Sequence, residues 1–430
     1  MPYNHRSSSA LPSLVDEATG DTVPPWSTVG PATAHPLHSM MSRVGSFPSS
    51  LARYLIVGYS RAGDIVFDPF CGKGTTVLQT VLEGRQAIGC DVAPEAVAVT
   101  RAKVTPISLL EVEEYIAQIR LRRYGLAGVP DDVKVFFHDT TLSRVLCVRD
   151  ALLRDIEGGT SAPRRAATFL LGCLLGILHG HASYSLSLPS SHAYAMAPNY
   201  VRRYAAEHGL EKPIRDVRGC LLKKATILLS NGSVTDHRAR VYESTAAKYG
   251  FNRSKWLAGR VSLVVTSPPY LDAQTYAKDA WLRLWLLGHN HRDLRSRYIQ
   301  TGSVETYKEK MEPCLRQMME VLKPGARAFL VAGDVLVTRQ QGGKRGKAVV
   351  KTVELLAEVA GRVTEGDAFA FRIEEIIDDT IPGNSRYLAA VHKDGNAEWR
   401  PDGSGTGVRI DRVLHLKKVR VGGRKSVHCV

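Results

Sequence analysis

Apolar residues along this chain fall into short continuous runs in some stretches and into helical spacing in others. Ile65-Val66-Phe67 and Gln86-Ala87-Ile88-Gly89-Cys90 read as buried strands, each leading into a helical pattern, the first over 75–82 and the second from Pro94. Leu51, Leu55 and Ile56 share one face of an earlier segment, 47–57, which Ser49 or Ser50 is placed to cap. Strand, helix, strand, helix in that order predicts an α/β fold with a mostly parallel, doubly wound sheet. From about 105 to 230 the pattern turns helical, over 109–122, 142–155, 164–178 and 198–208. Strand-like runs return at 239–242, 261–265, 326–332 and 369–373, with helices around 305–321 and 350–360 between them. The sheet is therefore expected in two halves, 35–104 and 236–395, with a largely helical insertion over 105–235. Residues 1–34, rich in Ser, Pro, Thr and Gly, read as a flexible arm, and 396–430 as a basic tail.

Composition narrows the class. The longest apolar stretch, 166–178, is too short to cross a bilayer, and the N-terminus has no signal-peptide pattern. The 7 cysteines include no Cys-x-x-Cys pair, so neither a disulfide framework nor a zinc site is predicted, and a reducing cytoplasmic setting is. A net charge of +15 favours a polyanionic partner, nucleic acid before membrane.

Two strings sit directly after strands, where open α/β sheets bind ligands. The first is Asp68-Pro-Phe-Cys-Gly-Lys-Gly-Thr-Thr76. Gly72 and Gly74 permit a tight turn and close backbone approach, and the helix start beyond them favours a carboxylate or phosphate. The spacing is not that of a Walker loop, and Val77 stands where the full Gly-x-Gly-x-x-Gly fingerprint needs its last glycine. Asp91, at the end of the next strand, suits a ribose diol.

The second string is Thr266-Ser-Pro-Pro-Tyr270. An exocyclic amine conjugated to a base ring is a poor nucleophile, because its lone pair is delocalised. Two acceptors aimed at its hydrogens draw the nitrogen toward sp³ and free that lone pair; Ser267 Oγ and the Pro268 carbonyl are placed to be those acceptors. Pro268 and Pro269 stiffen the loop and remove backbone donors. Tyr270 is placed to stack on the base, a contact worth ~1–3 kcal/mol in nucleic-acid complexes.

Asp-Pro-Phe-Cys-Gly-x-Gly-Thr and Ser-Pro-Pro-Tyr resemble the motifs of the amino-methylating DNA methyltransferases. Ala87-Ile-Gly-Cys-Asp91-Val-Ala-Pro94 is similar to their second motif, and His35-Pro-Leu-His38 with Phe47-Pro48 resembles the segment that closes over the cofactor. Leu322-Lys-Pro-Gly325, Gly333-Asp334 and Ile381-Pro-Gly-Asn-Ser-Arg-Tyr387 resemble later framework motifs. The resemblance implies a Rossmann-like S-adenosylmethionine methyltransferase fold. Asp68, Gly72, Gly74 and Thr75 then hold the methionine end of S-adenosylmethionine with Phe70 close by, and Asp91 takes its ribose. The segment 35–104 becomes the cofactor-binding half, 236–395 the catalytic half, and 105–235 the target-recognition part. The implied substrate is a base flipped from double-stranded DNA, at a cost of roughly a few kcal/mol. A cognate restriction endonuclease accompanies some members. Members with Ser in the Ser267 position lean toward cytosine N4, and those with Asp or Asn toward adenine N6. In many members the Pro-Pro motif comes first, the reverse of the order here. The Gly-Asp pair that often serves the cofactor adenine is replaced by Val241-Tyr-Glu-Ser-Thr245. An RNA amino-methyltransferase, or a DNA-binding protein with a silent methyltransferase core, are the rival readings.

For the nucleic-acid surface the sequence offers Tyr200, Arg202 and Arg203, where aromatics alternate with basic residues, and the loop 339–347 with Arg339, Lys344, Arg345 and Lys347. His179-Gly-His181 reads as helix-end histidines, not a metal site, and Trp281 with Trp285 as core residues. Target sequence and oligomeric state have no signal.

Overall fold

A computed structural model of the chain describes residues 3–17, 19–30, 33–43, 46–189, 197–235, 238–252, 255–271, 276–341, 344–366, 368–381 and 409–421, without the side chains of 336–341, 344–348, 380–381 and 409–410. The chain opens with β1 (His5–Ser7) and a small hairpin of β2 (Leu14–Val15) and β3 (Thr22–Val23). α1 (Ser49–Tyr59), β4 (Ile65–Asp68), α2 (Thr75–Leu82), β5 (Gln86–Asp91) and α3 (Pro94–Lys103) follow. Then come α4 (Leu109–Gln118), α5 (Asp131–Lys134), α6 (Asp139–Gly158), α7 (Ser161–Ile177), α8 (Pro198–Glu207) and α9 (Val217–Leu228). β6 (Ala239–Glu243) and β7 (Val261–Thr266) precede α10 (Tyr276–Asp279), α11 (Trp281–Leu286), α12 (His291–Leu294) and α13 (Val304–Val321). The last described elements are β8 (Leu322–Gln341), β9 (Lys344–Lys351), α14 (Thr352–Ala360), β10 (Thr364–Glu365), β11 (Phe369–Ile381) and β12 (Arg409–Arg420).

Among the described residues one sheet has the order β1-β11-β12-β8-β7-β4-β5-β6, with β9 paired to β8 and β10 to β11. β6, β5, β4, β7 and β8 are parallel, and β12 runs antiparallel between β8 and β11. The fold is Rossmann-like. From β4 the chain builds outward through β5 to β6, then returns to the other side of β4 and builds outward through β7 to β8. The switch point therefore lies between the carboxyl ends of β4 and β7, where such sheets bind ligands.

Alternation along the strands divides the core. Val66, Leu263, Val265, Phe329, Val331 and Val413 pack with α1 on one face. Phe67, Val264, Leu330 and Leu414 pack with α13 and α14 on the other. The insertion α4–α9 occupies the crossover from β5 to its parallel neighbour β6, and its core runs on into that of α2 and α3. No described helix is long and apolar enough to cross a membrane.

Several sequence expectations are corrected. Pro48 is the N-cap of α1 and makes no side-chain cap bond, while Ser49 and Ser50 lie inside the helix. The first insertion helix stops at Gln118, and α9 escapes the sequence pattern, because Lys223 and Lys224 interrupt the stripe of Leu221, Ala225 and Leu228.

The arm expected over 1–34 is ordered where described. β1 pairs with β11, and Trp26, 3% exposed, meets Tyr54 edge-on at 5.3 Å. Trp26→Ala should therefore cost about 3–5 kcal/mol, read from denaturant midpoints; a change under about 1 kcal/mol would mean that this segment does not belong to the cooperative core. The tail expected over 396–430 contains β12, an interior strand. Lys418 within it is used by the fold: its Nζ donates to the Met319 and Leu322 carbonyls at 2.8 and 3.0 Å and pairs with Glu365. The loop expected over 339–347 is the outer part of an antiparallel ribbon, with Arg339 opposite Gly346 and Gln341 opposite Lys344.

Candidate active site

The first string folds as a turn from β4 into α2. Gly72 and Gly74 adopt φ of +50° and +77°, in the left-handed region that disfavours side chains. At Gly74 a Cβ would lie 2.6 Å from Thr100, so backbone and α3 touch there. Gly74 is also the N-cap of α2 and provides no side-chain acceptor, so the first amides of the helix are left for a ligand. Asp91 ties the turn to β5, accepting from the Gly72 N–H at 2.8 Å and the Ala93 N–H at 2.9 Å.

The second string begins beside the first. Thr266 Oγ1 donates to Asp68 Oδ1 at 2.6 Å, and Thr76 Oγ1 donates to the Val265 carbonyl at 3.1 Å. The Phe70 N–H adds a bond to Asp68 Oδ1 at 3.1 Å. Tyr307 on α13 donates to the Pro269 carbonyl at 2.9 Å, whereas the Pro268 carbonyl has no donor among the described residues. Strand ends 198 residues apart in sequence are thereby locked together at the switch point.

Between them opens a cleft of about 810 Å³, lined by Asp68, Phe70, Gly72, Lys73, Thr75, Asp91, Ser267 and Pro269 among others. That is within the range of small-molecule and cofactor sites. Its far wall leaves no mark in the sequence. Arg43 reaches in and pairs with the buried Glu95 at 2.7 Å. Burial works against the guanidinium charge, but Glu95 and Asp91 outweigh it and hold Arg43 above its ordinary pKa. The segment before Arg43 is pinned by Lys103 and Lys224, whose Nζ atoms donate to the His38 and Ser39 carbonyls at 3.4 and 2.8 Å. Tyr276, Tyr298, Ser244 and Thr245 complete the wall.

Asp68 is 2% exposed, and burial raises its carboxyl from 3.8 to about 7 against the opposing bonds from Thr266 and Phe70. A raised carboxyl pKa means that the native state holds a proton the unfolded chain has released. The resulting stabilisation is complete below 3.8 and is lost as pH rises through about 7. The stability difference between the ligand-free protein and Asp68→Asn should therefore change across pH 4–7, with the wild type losing ground as pH rises; a pH-independent difference would show Asp68 to be ionised throughout.

The sequence-derived residues are not all placed as expected. Asp68, Phe70, Gly72, Thr75, Asp91, Ser267 and Pro269 line the cleft, with Gly74 in the same turn and the buried Pro268 between Ser267 and Pro269. Tyr270 does not line it: the ring is 3% exposed and belongs to the same core cluster as Tyr307 and Met311, where burying an aromatic surface gains most. Tyr276, six residues on, lines it instead, its ring parallel to that of Tyr298 at 6.4 Å. Tyr200, Arg202 and Arg203 lie on α8 away from it, with Arg202 paired to Asp132 at 3.1 Å and Arg203 to Glu207 at 3.6 Å. The side chains of Arg339, Lys344, Arg345 and Lys347, and most of the framework motif from Ile381 to Tyr387, lie outside the described residues. His179 is buried and bonded to Ser187 at 2.7 Å, and Trp281 and Trp285 are half-buried.

Known proteins resemble this region. An orphan methyltransferase, M.BamHII of Bacillus amyloliquefaciens, is 47% identical over 49 residues, 11% of this chain and 18% of that protein. The type II methyltransferase M.MjaI of Methanocaldococcus jannaschii is 40% identical over 67 residues, 16% of this chain and 22% of its own length. The DNA adenine methyltransferase YhdJ of Escherichia coli is 32% identical over 78 residues, 18% of this chain and 26% of that protein. The chain thus spans about a quarter or less of each of these relatives. Residues 26–102, which carry Arg43, the Asp68–Thr76 turn and Asp91, match the model of the N6/N4 methyltransferase family described as DNA methylase.

Proposed function

We propose that this protein is an S-adenosylmethionine-dependent DNA methyltransferase acting on an exocyclic amino nitrogen, with cytosine N4 as the favoured acceptor. The observation that carries the reading is the convergence of the Asp68–Thr76 turn and the Ser267–Pro269 loop on one cleft at the switch point of the sheet.

The cleft fits the cofactor by several features. The uncapped start of α2 and the cations Lys73 and Arg43 suit the methionine carboxylate, while Asp68 suits its ammonium group. Asp91 suits the ribose hydroxyls, and the turn over Ser244 and Thr245, opposite Tyr298, offers a place for the adenine. When bound, S-adenosylmethionine supplies an electrophilic methyl group on a sulfonium centre. The chain's own contribution is positioning and polarisation of the amine. Ser267 Oγ and the Pro268 carbonyl accept from the two amine hydrogens, and Tyr276 takes the stacking role that the motif assigns to Tyr270. Ring-carbon methylation by a cysteine nucleophile has no support: Cys71 lines the cleft, but burial pushes its thiol well above the ordinary range.

For the polyanion, the β8–β9 ribbon replaces the expected loop. Leu330 is level with Thr266, and the strand continues for another eleven residues to Gln341, roughly 35 Å of extended chain past the carboxyl end of β7. A two-stranded ribbon fits the major groove of duplex DNA. Ser267 supports cytosine; the likeness to a protein named as an adenine methyltransferase supports adenine N6 as the second reading.

The test is transfer of labelled methyl groups to duplex DNA and to RNA, followed by digestion to nucleosides. Label in N4-methylcytosine from DNA is expected. Label in N6-methyladenine would overturn the base assignment alone, and no label in either nucleic acid would overturn the whole reading.

A further inference from the structure

Beside the cleft lies a second hollow of about 960 Å³, open to solvent and lined by Arg292, Arg295, Gln300, Thr301 and Lys310, with Tyr298 as a wall common to both cavities. It is built from two elements. Asn290 caps α12 through its side chain, and Leu294 is buried with Tyr298, Ala93 and Leu284. That anchor leaves Arg292 and Arg295, three residues apart on one helical turn, on the exposed side. Lys310 comes to the same hollow from the exposed side of α13.

Charge matching singles this cluster out. The adjacent Arg297 is paired with Glu243 at 2.8 Å, and Lys308, two residues before Lys310, is paired with Glu358. Among the described residues, Arg292, Arg295 and Lys310 have no carboxylate within ion-pair distance. Three cations at one hollow, none with an ion-pair partner among the described residues, repel one another. Thr301 and Gln300 add neutral side-chain donors, and arginine, lysine, hydroxyl and amide donors together are the groups that contact nucleic-acid phosphates.

We propose that this hollow holds the phosphodiester backbone of the DNA strand that carries the target base. The inference rests on the DNA methyltransferase reading and assigns one surface within it. Because Tyr298 lines both the hollow and the cleft, the phosphate of a nucleotide whose base enters the cleft would fall beside the hollow. The three cations neutralise the backbone there without reading sequence, and they hold the strand while the base is outside the stack.

The test is the salt dependence of duplex binding by R292Q/R295Q/K310Q, with cofactor affinity measured on the same samples. Taking one cation away from a phosphate lowers the log–log salt slope by about 0.9, so the slope should fall by about 2–3, with at least tenfold weaker duplex binding near 100 mM salt and unchanged cofactor affinity. If the triple variant loses cofactor binding as well, Arg295→Gln alone should still lower the slope by about 1. A variant slope equal to that of a duplex-binding wild type would overturn the phosphate assignment and leave the enzyme reading standing. A wild type that neither binds nor methylates duplex DNA would overturn that reading and this assignment with it. A slope that falls with RNA but not with duplex would overturn the choice of DNA.

Discussion

Alanine at Ser267 is expected to lower kcat by about two orders of magnitude and to leave cofactor affinity within about twofold. The loop does not depend on this hydroxyl for its shape. Thr266 is held by Asp68, the Pro269 carbonyl by Tyr307, and two consecutive prolines restrict the backbone between them. Removing Oγ from a half-buried residue at the cleft wall leaves no cavity of consequence. In the proposed reaction the substitution would take away one of two acceptors for the amine, and with it the bias of the nitrogen lone pair toward the methyl group. Single-turnover rates and equilibrium cofactor binding separate the two effects. Equal losses in both would show that Ser267 shapes the cofactor site and not the amine.

Gly74→Ala should do the opposite, removing cofactor binding by at least about a hundredfold and costing roughly 2–4 kcal/mol of stability. Two costs add there. The left-handed backbone at φ +77° disfavours any side chain, and the new Cβ would meet Thr100 Oγ1 and Cγ2 at 2.6 Å. Thr100 cannot simply rotate away, because its Oγ1 donates to the Gly72 carbonyl at 2.9 Å and so holds the same turn. The turn itself must move, taking the first amides of α2 with it. Gly72 provides the comparison. A Cβ there would meet the Arg43 side chain at 3.8 Å and the Phe70 carbonyl at 4.0 Å, both ordinary van der Waals contacts, so Gly72→Ala should carry little beyond the conformational cost, about 1–2 kcal/mol. G74A/T100A should recover part of the loss in Gly74→Ala. Equal damage at the two glycines would mean that contact with α3 plays no part.

The parts of the site legible in the sequence are those whose chemistry is local. A glycine turn after an apolar run must lie at a strand end, and a Ser-Pro-Pro string after another must be a stiff loop, whatever the rest of the fold does. Partners remote in sequence leave no such mark. β1 meets β11 across more than 360 residues, so His5–Ser7 looks like part of a loose arm when read alone. In β12 the apolar residues Val413, Leu414 and Leu416 are interleaved with Arg412, His415 and Lys417, and the cations hide a buried strand. Arg412 is matched in place by Asp334 and Asp378, two carboxylates from neighbouring strands that no local pattern could supply. Tyr270 and Tyr276 illustrate the same limit at the site: the motif names one aromatic, but packing against α13 decides which ring faces the cleft. Arg43 belongs to no string at all, and only its buried pairing with Glu95 gives it away.

The central claim, that the two strings form one methyl-transfer site, is most directly tested by a crystal structure with S-adenosylmethionine bound. The methionine end should lie on the Asp68–Thr75 turn, with the methyl carbon roughly 4–6 Å from Ser267 Oγ, which leaves room for one amino nitrogen at reacting distance from the first and hydrogen-bonding distance from the second. A cofactor bound elsewhere, or bound in this cleft with its methyl group turned away from Ser267 and Pro268, would contradict it.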